Sequence, residues 1–398
     1  MIDSEKRQRV SKRGRRALIL MAIAVTVVVA SSFAYLYPSL IAKSQPALPS
    51  SGPGPVTRAG DFVSYEFVTP LLGWALEAWS NRSPASGQFS VWRTVDGAKH
   101  WQTQLEGPIS PTLAGPPSIQ FFDKAHGFVA FGIELYRTVD GGLNWAGIAL
   151  PDAQHAFITF ADSRHGWVLA DTATSASGWL QLYATKDAGD SWQPLPNPPV
   201  GSTRMAFRSP LEGWMWNPGG DQSHLYVSGD AGTSWQIRDP PDPPAQSPGQ
   251  TATVVSLRLL PQSGVVAYVA LSEGGGSSGY LLPSHEFTSF DIGSSWKYVP
   301  PTPSQFLPGL EGFEDASRWW RIDGGIVYKS SDSGQTWKPG PARLENGNYW
   351  IYQTHVLDSK HAWAQVQIGE ITGLTVTSDG GLHWTRANVP QQLDSRSG

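Results

Sequence analysis

The sequence predicts an all-β fold, a seven-bladed β-propeller of four-stranded blades, preceded by one N-terminal transmembrane helix. Three observations lead to the propeller. One turn motif occurs seven times, its copies are separated by 41 to 61 residues, and short apolar runs flank each copy. A period of about 40 to 50 residues indicates one supersecondary unit per repeat. Four-stranded units that repeat radially form the blades of a propeller.

The composition agrees with many short strands joined by tight turns. The 398 residues include 18 Trp, 42 Gly and 32 Pro, and only 16% of them are charged. Aromatic residues favour strands, whereas Gly and Pro favour turns. The chain has no Cys, which excludes disulfides, thiolate metal sites and a Cys nucleophile. We expect no cofactor.

Charge divides the N-terminal region from the rest of the chain. Residues 1–16 carry a net charge of +5, and the remainder carries −9. An acidic body disfavours nucleic-acid binding, which requires clustered Lys and Arg. Residues 17–37 are apolar and uncharged, with about the length that a membrane-spanning helix needs. By the positive-inside rule we expect a basic cytoplasmic segment at 1–16 and a signal-anchor helix at 17–37.

The protein is thus predicted to cross the cell membrane once, with the rest of the chain on the outer side. Residues 38–60 are rich in Pro, Ser and Gly and form a spacer, residues 61–390 form the propeller, and residues 391–398 form a C-terminal tail. A cleaved signal peptide is the alternative, because 17–30 is also an apolar core followed by small residues at 32–34. Cleavage would make the protein secreted. The anchor is favoured because the apolar run continues past that site.

The repeated octapeptide has a physical logic. Each copy begins with Ser or Thr, has Asp at position 3, Gly at position 5 and Trp at position 8, with Ala98 replacing the Gly of the first copy. Asp accepts hydrogen bonds from its own turn, Gly supplies a positive φ, and Trp packs between sheets. The predicted structural residues are the pairs Asp96 and Trp101, Asp140 and Trp145, Asp187 and Trp192, Asp230 and Trp235, Asp291 and Trp296, Asp332 and Trp337, and Asp379 and Trp384.

A second aromatic residue precedes the motif in every unit. In chain order these landmarks are Trp74, Phe128, Trp167, Trp214, Tyr268, Trp320 and Trp363. Together with the flanking apolar runs they give four strands per unit. The fifth unit is the longest, so the count of seven blades depends most on it.

The octapeptides are identified as Asp-boxes, also called BNR repeats. They resemble those of sialidases, xyloglucan hydrolases, sortilin-type receptors and non-enzymatic assembly factors. The compact form at 127–145 most resembles the photosystem II assembly and stability factor family. This resemblance implies a non-catalytic propeller that binds a protein partner and assists assembly of a membrane complex. That family uses a basic surface patch, whereas this domain is acidic.

Two other functions compete with protein binding. A sialidase-like glycoside hydrolase requires three Arg, a Tyr–Glu nucleophile pair, an Asp and an Arg-Ile-Pro segment, and the closest string here is Arg321-Ile322-Asp323. We therefore expect no catalytic residues and no enzyme activity. A cell-surface carbohydrate-binding propeller could use the Trp residues to which the repeat gives no role, although blade packing also explains them. These are Trp79, Trp92, Trp179, Trp216, Trp319 and Trp350.

The remaining candidates concern metals and loops. Equivalent turns of separate blades contain a His residue, at His126, His165 and His361. The seven Asp residues of the motif also belong to separate blades. Both sets are therefore predicted to lie in solvated turns and not to form a metal site. The connections opposite the motif vary in length, and the longest are 239–250 and 272–286. Because variable loops on a rigid scaffold usually carry binding, we expect the functional face opposite the motif turns.

Overall fold

The computed structural model describes residues 62–388, apart from 83–84, 110–116, 152–154, 172–179, 197, 219–223, 245, 274–284, 301–310, 324, 345–349 and 369–370. Within these residues, 28 strands form seven four-stranded antiparallel sheets, each made from four consecutive strands. The predicted all-β propeller of seven four-stranded blades is therefore confirmed. Across these described ranges there is no helix long and apolar enough to cross a membrane. The predicted segments 1–16, 17–37 and 391–398 and the spacer 38–60 lie outside them.

The strands follow the repeat in chain order. Blade 1 comprises β1 Phe62–Phe67, β2 Gly73–Arg82, β3 Ala85–Thr94 and β4 Gln102–Ile109. Blade 2 comprises β5 Ser118–Phe121, β6 Gly127–Phe131, β7 Glu134–Thr138 and β8 Ala146–Ile148. Blade 3 comprises β9 His155–Phe160, β10 Gly166–Asp171, β11 Gln181–Thr185 and β12 Gln193–Pro194. Blade 4 comprises β13 Arg204–Phe207, β14 Gly213–Trp216, β15 Tyr226–Ser228 and β16 Gln236–Ile237.

The last three blades complete the ring. Blade 5 comprises β17 Gln250–Leu259, β18 Val265–Glu273, β19 His285–Ser289 and β20 Lys297–Val299. Blade 6 comprises β21 Gly312–Phe313, β22 Trp319–Asp323, β23 Ile326–Ser330 and β24 Lys338–Arg343. Blade 7 comprises β25 Trp350–Val356, β26 Ala362–Ile368, β27 Ile371–Thr377 and β28 Thr385–Ala387.

The topology gives the propeller two faces. In every blade the turns between the first and second strands and between the third and fourth strands lie on the same side, which we call the box face because it carries all seven Asp-boxes. The connections between the second and third strands and from one blade to the next lie on the opposite side, the loop face. First strands of neighbouring blades contact each other, as β1 does with β5, β9 with β13 and β21 with β25, so the first strands lie on the inner side of the ring.

Aromatic rings hold several neighbouring blades together. The landmark on the second strand of one blade stacks on the last residue of the first strand in the next blade. The stacked pairs are Trp74 and Phe121 (ring centroids 3.4 Å apart), Phe128 and Phe160 (3.7 Å), Trp167 and Phe207 (3.6 Å), and Trp363 and Phe67 (4.2 Å). Stacked rings add to the free energy gained from their burial.

In blade 5 the predicted landmark residue, Tyr268, is wrong. Gly73 pairs with the first Asp-box residue, Thr94, and Val265 pairs with the corresponding Ser289. Val266 therefore occupies the landmark position of blade 5, and Tyr268 lies two residues further along β18. The longer strands of this blade hide the equivalence in the sequence.

Blade 7 meets blade 1 through the same contacts that join other blades. The indole Nε1 of Trp101 donates a hydrogen bond to the carbonyl of Asn388 at 2.8 Å, just as Trp192 donates to Ala149 and Trp296 donates to Arg238 at 3.2 Å. The stack of Trp363 on Phe67 repeats the other junctions. Within residues 62–388 the ring is thus closed by side chains and end contacts, and the described strands of the first and last blades remain in separate sheets.

The Asp-box turn places two successive residues, at positions 4 and 5, at positive φ. In blade 5 position 4 is Ile292, with φ 58°. A β-branched side chain is disfavoured there, and this one is 41% exposed, so it gains little from burial. We expect Ile292→Gly to raise the free energy of unfolding by about 1 kcal/mol, measured by urea denaturation.

Ala231 provides the matched control for this substitution, because it occupies the same position in blade 4 at φ 65°. Ala231→Gly relieves less strain and adds the same freedom to the unfolded chain, so its effect should be close to zero. A loss of stability in Ile292→Gly would show that contacts of the Ile292 side chain outweigh the backbone strain.

Candidate functional site

The carboxylates of the Asp-boxes are used within their own turns. In the third box, the Thr185 hydroxyl donates to Asp187 Oδ1 at 2.7 Å, and the backbone N–H of Ser191 donates to the same oxygen at 2.9 Å. The Ser191 hydroxyl donates to Oδ2 at 2.6 Å. Hydrogen bonds, first among them the one from the Ser191 side chain, lower the pKa of Asp187 to about 2. The arrangement is that of a structural turn.

The turn histidines are also paired locally. Nδ1 of His126 lies 2.8 Å from Asp123 Oδ2, and His165 and His361 make the same contact with Asp162 and Asp358 at 2.9 Å. Each pair belongs to a different blade. Among the residues that the structure describes, no three His, Asp or Glu side chains are grouped so that they could hold a metal ion.

Three of the six surplus Trp residues do not form an exposed surface. Trp92, Trp216 and Trp319 are only 7%, 6% and 0% exposed and belong to the apolar cores between blades. For these three, blade packing replaces the predicted ligand-binding role. The side chains of Trp79, Trp179 and Trp350 are not among those that the structure describes, so their role in ligand binding stays a prediction.

Exposed apolar residues concentrate on the box face. Eight of the eleven large exposed apolar side chains of the described residues lie there: Leu71, Val95, Val139, Leu143, Leu211, Phe290, Ile292 and Leu382. Five of these belong to the consecutive blades 7, 1 and 2. Exposed apolar side chains that share one side of a protein mark a candidate interaction surface. This distribution favours the box face for recognition, whereas the sequence predicted the opposite face.

The described part of the loop face offers less evidence for recognition. In the connection at 239–250, Asp239 accepts a hydrogen bond from the backbone of Leu225 at 2.7 Å, and Gln246 donates to the carbonyl of Gln250 at 2.8 Å. The loop is thus held by its own contacts and by blade 4. Most of the second long connection, 272–286, lies outside the described residues.

A cleft between blades 2 and 3 opens on the box face. Its cavity measures about 220 Å³ and is lined by His126, Phe128, Arg137, Thr138, Val139, Ser163, Arg164 and Ala188. Arg137 donates to the carbonyl of Ala188 at 3.0 Å and pairs with Asp190 at 3.0 Å. Arg164 is exposed, and Val139, 61% exposed, lies beside it. Guanidinium groups beside an apolar side chain suit an acidic group with an apolar neighbour.

A second unusual region lies buried between blades 5 and 6. Glu286, Glu311 and Arg321 are at most 5% exposed there. Strand register places Glu286 where the other six blades have Val91, Leu135, Leu182, Leu225, Val327 and Leu374. The positions equivalent to Glu311 and Arg321 hold no charged residue in any other blade. We call these three residues, with Tyr268, the blade 5–6 cluster.

The blade 5–6 cluster is an ion-pair network. The Arg321 guanidinium reaches Glu286 Oε1 at 2.7 Å and Glu311 Oε1 at 2.5 Å, and the Tyr268 hydroxyl donates to Glu311 Oε2 at 2.9 Å. Burial, and then the charge of Glu311, raise the pKa of Glu286 well above its usual range. Burial also opposes ionisation of Glu311, but the Arg321 charge holds the pKa of Glu311 below its usual value.

This cluster also bears on the hydrolase alternative. Tyr268, Glu311 and Arg321 supply a Tyr–Glu pair beside an Arg, which are residue types that a sialidase-like site requires. Each of them is at most 2% exposed, because all three pack between two blades. A sugar ring cannot reach groups enclosed to this extent, so their geometry does not support glycoside hydrolysis.

Comparison with known proteins shows that the chain is similar in sequence to an assembly lipoprotein. No protein-family model matches it. The photosystem II assembly lipoprotein Ycf48 of Synechococcus sp. (strain CC9902) is 24% identical over 340 residues, which cover 82% of this chain and 87% of that protein. A structure of Ycf48 bound to a D1 peptide is 21% identical, with a TM-score of 0.48, and the match covers 68% of this chain and 79% of that one.

Another solved structure shares the fold alone. A puromycin-hydrolyzing peptidase of Mycobacterium tuberculosis is 13% identical, with a TM-score of 0.51, and the match covers 86% of this chain and 57% of that one. The chain is thus an Asp-box β-propeller that is similar to the photosystem II assembly factor Ycf48.

Proposed function

We propose that this protein is a non-catalytic β-propeller that binds a protein partner through its box face and acts as an assembly or stability factor for a membrane complex. The similarity to an assembly lipoprotein along most of both chains supports the proposal. The observation that carries it is the grouping of exposed apolar side chains on the box face, next to the Arg-lined cleft of blades 2 and 3.

The box face combines the elements of a protein-binding surface. Interfaces are enriched in Arg and in large apolar side chains at their centre, with a polar rim. Here Val139 lines the cleft that contains Arg137 and Arg164, and Leu143 is exposed in the same Asp-box turn as Val139. Rigid blades fix these positions relative to one another, so little conformational entropy is lost on binding. The partner segment that fits best carries an acidic group next to an apolar side chain.

We also propose that residues 17–37 anchor the domain outside the cell membrane. The apolar stretch, the preceding basic segment and the following spacer support this. The chain enters β1 at the loop face, so an anchor on this side leaves the box face free for a partner. In fractionated cells, we expect the full-length protein to resist carbonate extraction from membranes, with its C-terminus accessible to protease from outside. Full release by carbonate would contradict the anchor.

Partner binding is tested by cross-linking and pull-down of the full-length protein in its own cells. The variant Val139→Ser/Arg164→Glu removes an apolar contact and inverts a charge at the cleft. We expect it to recover the specific membrane-protein partner at about a tenth of the wild-type yield or less, because a few central residues dominate binding. Its melting temperature should be unchanged, because both side chains are exposed.

The matched control places the same changes elsewhere. Val200→Ser/Arg386→Glu alters an exposed Val on the loop face and an exposed Arg on the outer strand of blade 7, and should retain the partner. Loss of the partner in the control with retention in the cleft variant would contradict the box face. Turnover of a fluorogenic glycoside by the pure protein would contradict the non-catalytic function.

A further inference from the structure

The contact between blades 5 and 6 differs chemically from the stacked junctions. Four other junctions contain a stacked pair of aromatic rings. At the contact between blades 5 and 6 the landmark position holds Val266, which cannot form such a pair. The ion pairs of the blade 5–6 cluster cross the contact instead, from Glu286 of blade 5 to Arg321 of blade 6. Buried ion pairs recover their desolvation cost only when every group is well paired.

The pairing within the cluster is incomplete. Two carboxyl groups share the Arg321 guanidinium, and Glu286 Oε2 is buried and has no hydrogen-bond partner among the described residues. Arg258, which donates to the backbone carbonyl of Glu311, also favours the ionised form of that residue, so the proton of the pair belongs on Glu286. Ionisation of Glu286 as well would place a second buried carboxylate against that of Glu311, with Glu286 Oε2 unbonded, which is costly in a buried site.

We propose that the contact between blades 5 and 6 is a pH-sensitive seam, held closed while the Glu286–Glu311 pair shares a proton and loosened when both carboxylates are ionised. Loosening would separate β18 and β19 of blade 5 from β21 and β22 of blade 6. The seam is independent of the partner-binding function proposed above. It makes one junction of the ring responsive to the pH of the surrounding compartment.

Every charged or titratable group around Glu286 is consistent with this assignment. From blade 6, Glu311 and Arg321 face it, and from blade 5, Tyr268 and Tyr298 lie close by. Burial raises the pKa of both tyrosines, and burial lowers the pKa of the neighbouring His285. Arg258, on β17, donates to the backbone carbonyl of Glu311. Glu286 is thus the group of the seam that holds the proton and releases it as pH rises.

The sign of the effect follows from linkage. The pKa of Glu286 is raised in the folded protein, so the folded state retains a proton that the opened state releases. Protection of the seam is therefore complete below the unfolded pKa, about 4.3, and is lost as pH rises towards the folded pKa. One linked proton changes the opening equilibrium by about tenfold per pH unit.

Hydrogen–deuterium exchange of the full-length protein between pH 5 and 9, corrected for intrinsic exchange rates, tests the seam. In the wild type we expect the protection of peptides from β18, β19 and β22 to fall by about tenfold per pH unit. Peptides from β10 and β13, whose Trp167 and Phe207 stack at the junction of blades 3 and 4, should not change. Glu286→Gln cannot lose a proton, so it should keep its seam peptides protected up to pH 9.

A carboxyl group elsewhere controls for the loss of any acidic residue. Glu106→Gln changes an exposed Glu on β4, and it should retain the wild-type pH dependence at the seam. The proposal is overturned if wild-type seam peptides exchange independently of pH, or if Glu286→Gln opens with the same pH dependence as the wild type. Because exchange is read by region, titrating groups in other blades do not affect the result.

Discussion

Replacement of Arg321 by leucine is expected to lower the free energy of unfolding by about 3 to 5 kcal/mol at pH 7, measured by urea denaturation. Arg321 is the cation that both buried carboxyl groups contact, at 2.7 Å for Glu286 and 2.5 Å for Glu311. Its removal leaves both buried carboxyl groups without the cation that they contact directly. The guanidinium also lies 4.4 Å from the centre of the Trp337 ring, and this contact is lost as well.

The triple variant Glu286→Leu/Glu311→Ile/Arg321→Val separates pairing from packing. These residue types occur at the equivalent positions of other blades, so we expect stability equal to or above that of the wild type. Arg318→Leu, at an ion pair whose guanidinium is 53% exposed, should cost clearly less than Arg321→Leu. If the triple variant were as unstable as Arg321→Leu, the network would contribute a net stabilisation that apolar packing cannot replace.

The fold could be predicted from the sequence because the Asp-box is a local structure. The hydrogen bonds of its Asp carboxylate and of its first Ser or Thr hydroxyl join residues at most four positions apart, as between Asp187 and Ser191, so the motif has the same appearance in every blade. The count of seven was also correct, although the fifth copy follows the fourth after 61 residues. The additional residues extend β17 and β18 and the connections of blade 5, and leave its four-stranded order intact.

The candidate site could not be predicted in the same way, because it depends on contacts between distant residues. Val91 is buried and Val95 is exposed, yet they are the same residue type four positions apart. Tyr268 and Glu311 meet across 43 residues, and the repeat does not record which residues face each other between blades. A usable signal was present in the aligned repeats, since Glu286 interrupts a column of Val and Leu.

The second large effect on stability is expected at the junction of blades 7 and 1, where the ring of blades closes. Trp363 stacks on Phe67 across the junction of blades 7 and 1, and Trp167 stacks on Phe207 across the junction of blades 3 and 4. We expect Trp363→Ala to lower the free energy of unfolding by about 3 to 5 kcal/mol, because a buried ring is lost and a cavity remains. Thermal and urea denaturation of the full-length protein measure the change.

Trp167→Ala is the matched substitution at an internal junction, where the chain itself continues from one blade to the next. Similar losses in the two variants would mean that side-chain contacts close the ring as firmly as they join consecutive blades. A clearly smaller loss in Trp363→Ala would mean that the first and last blades separate before the rest unfolds. In that case, hydrogen exchange of β1 and β26 in the wild type would already be faster than that of β10 and β13, because the junction of blades 7 and 1 has no covalent connection to limit its opening.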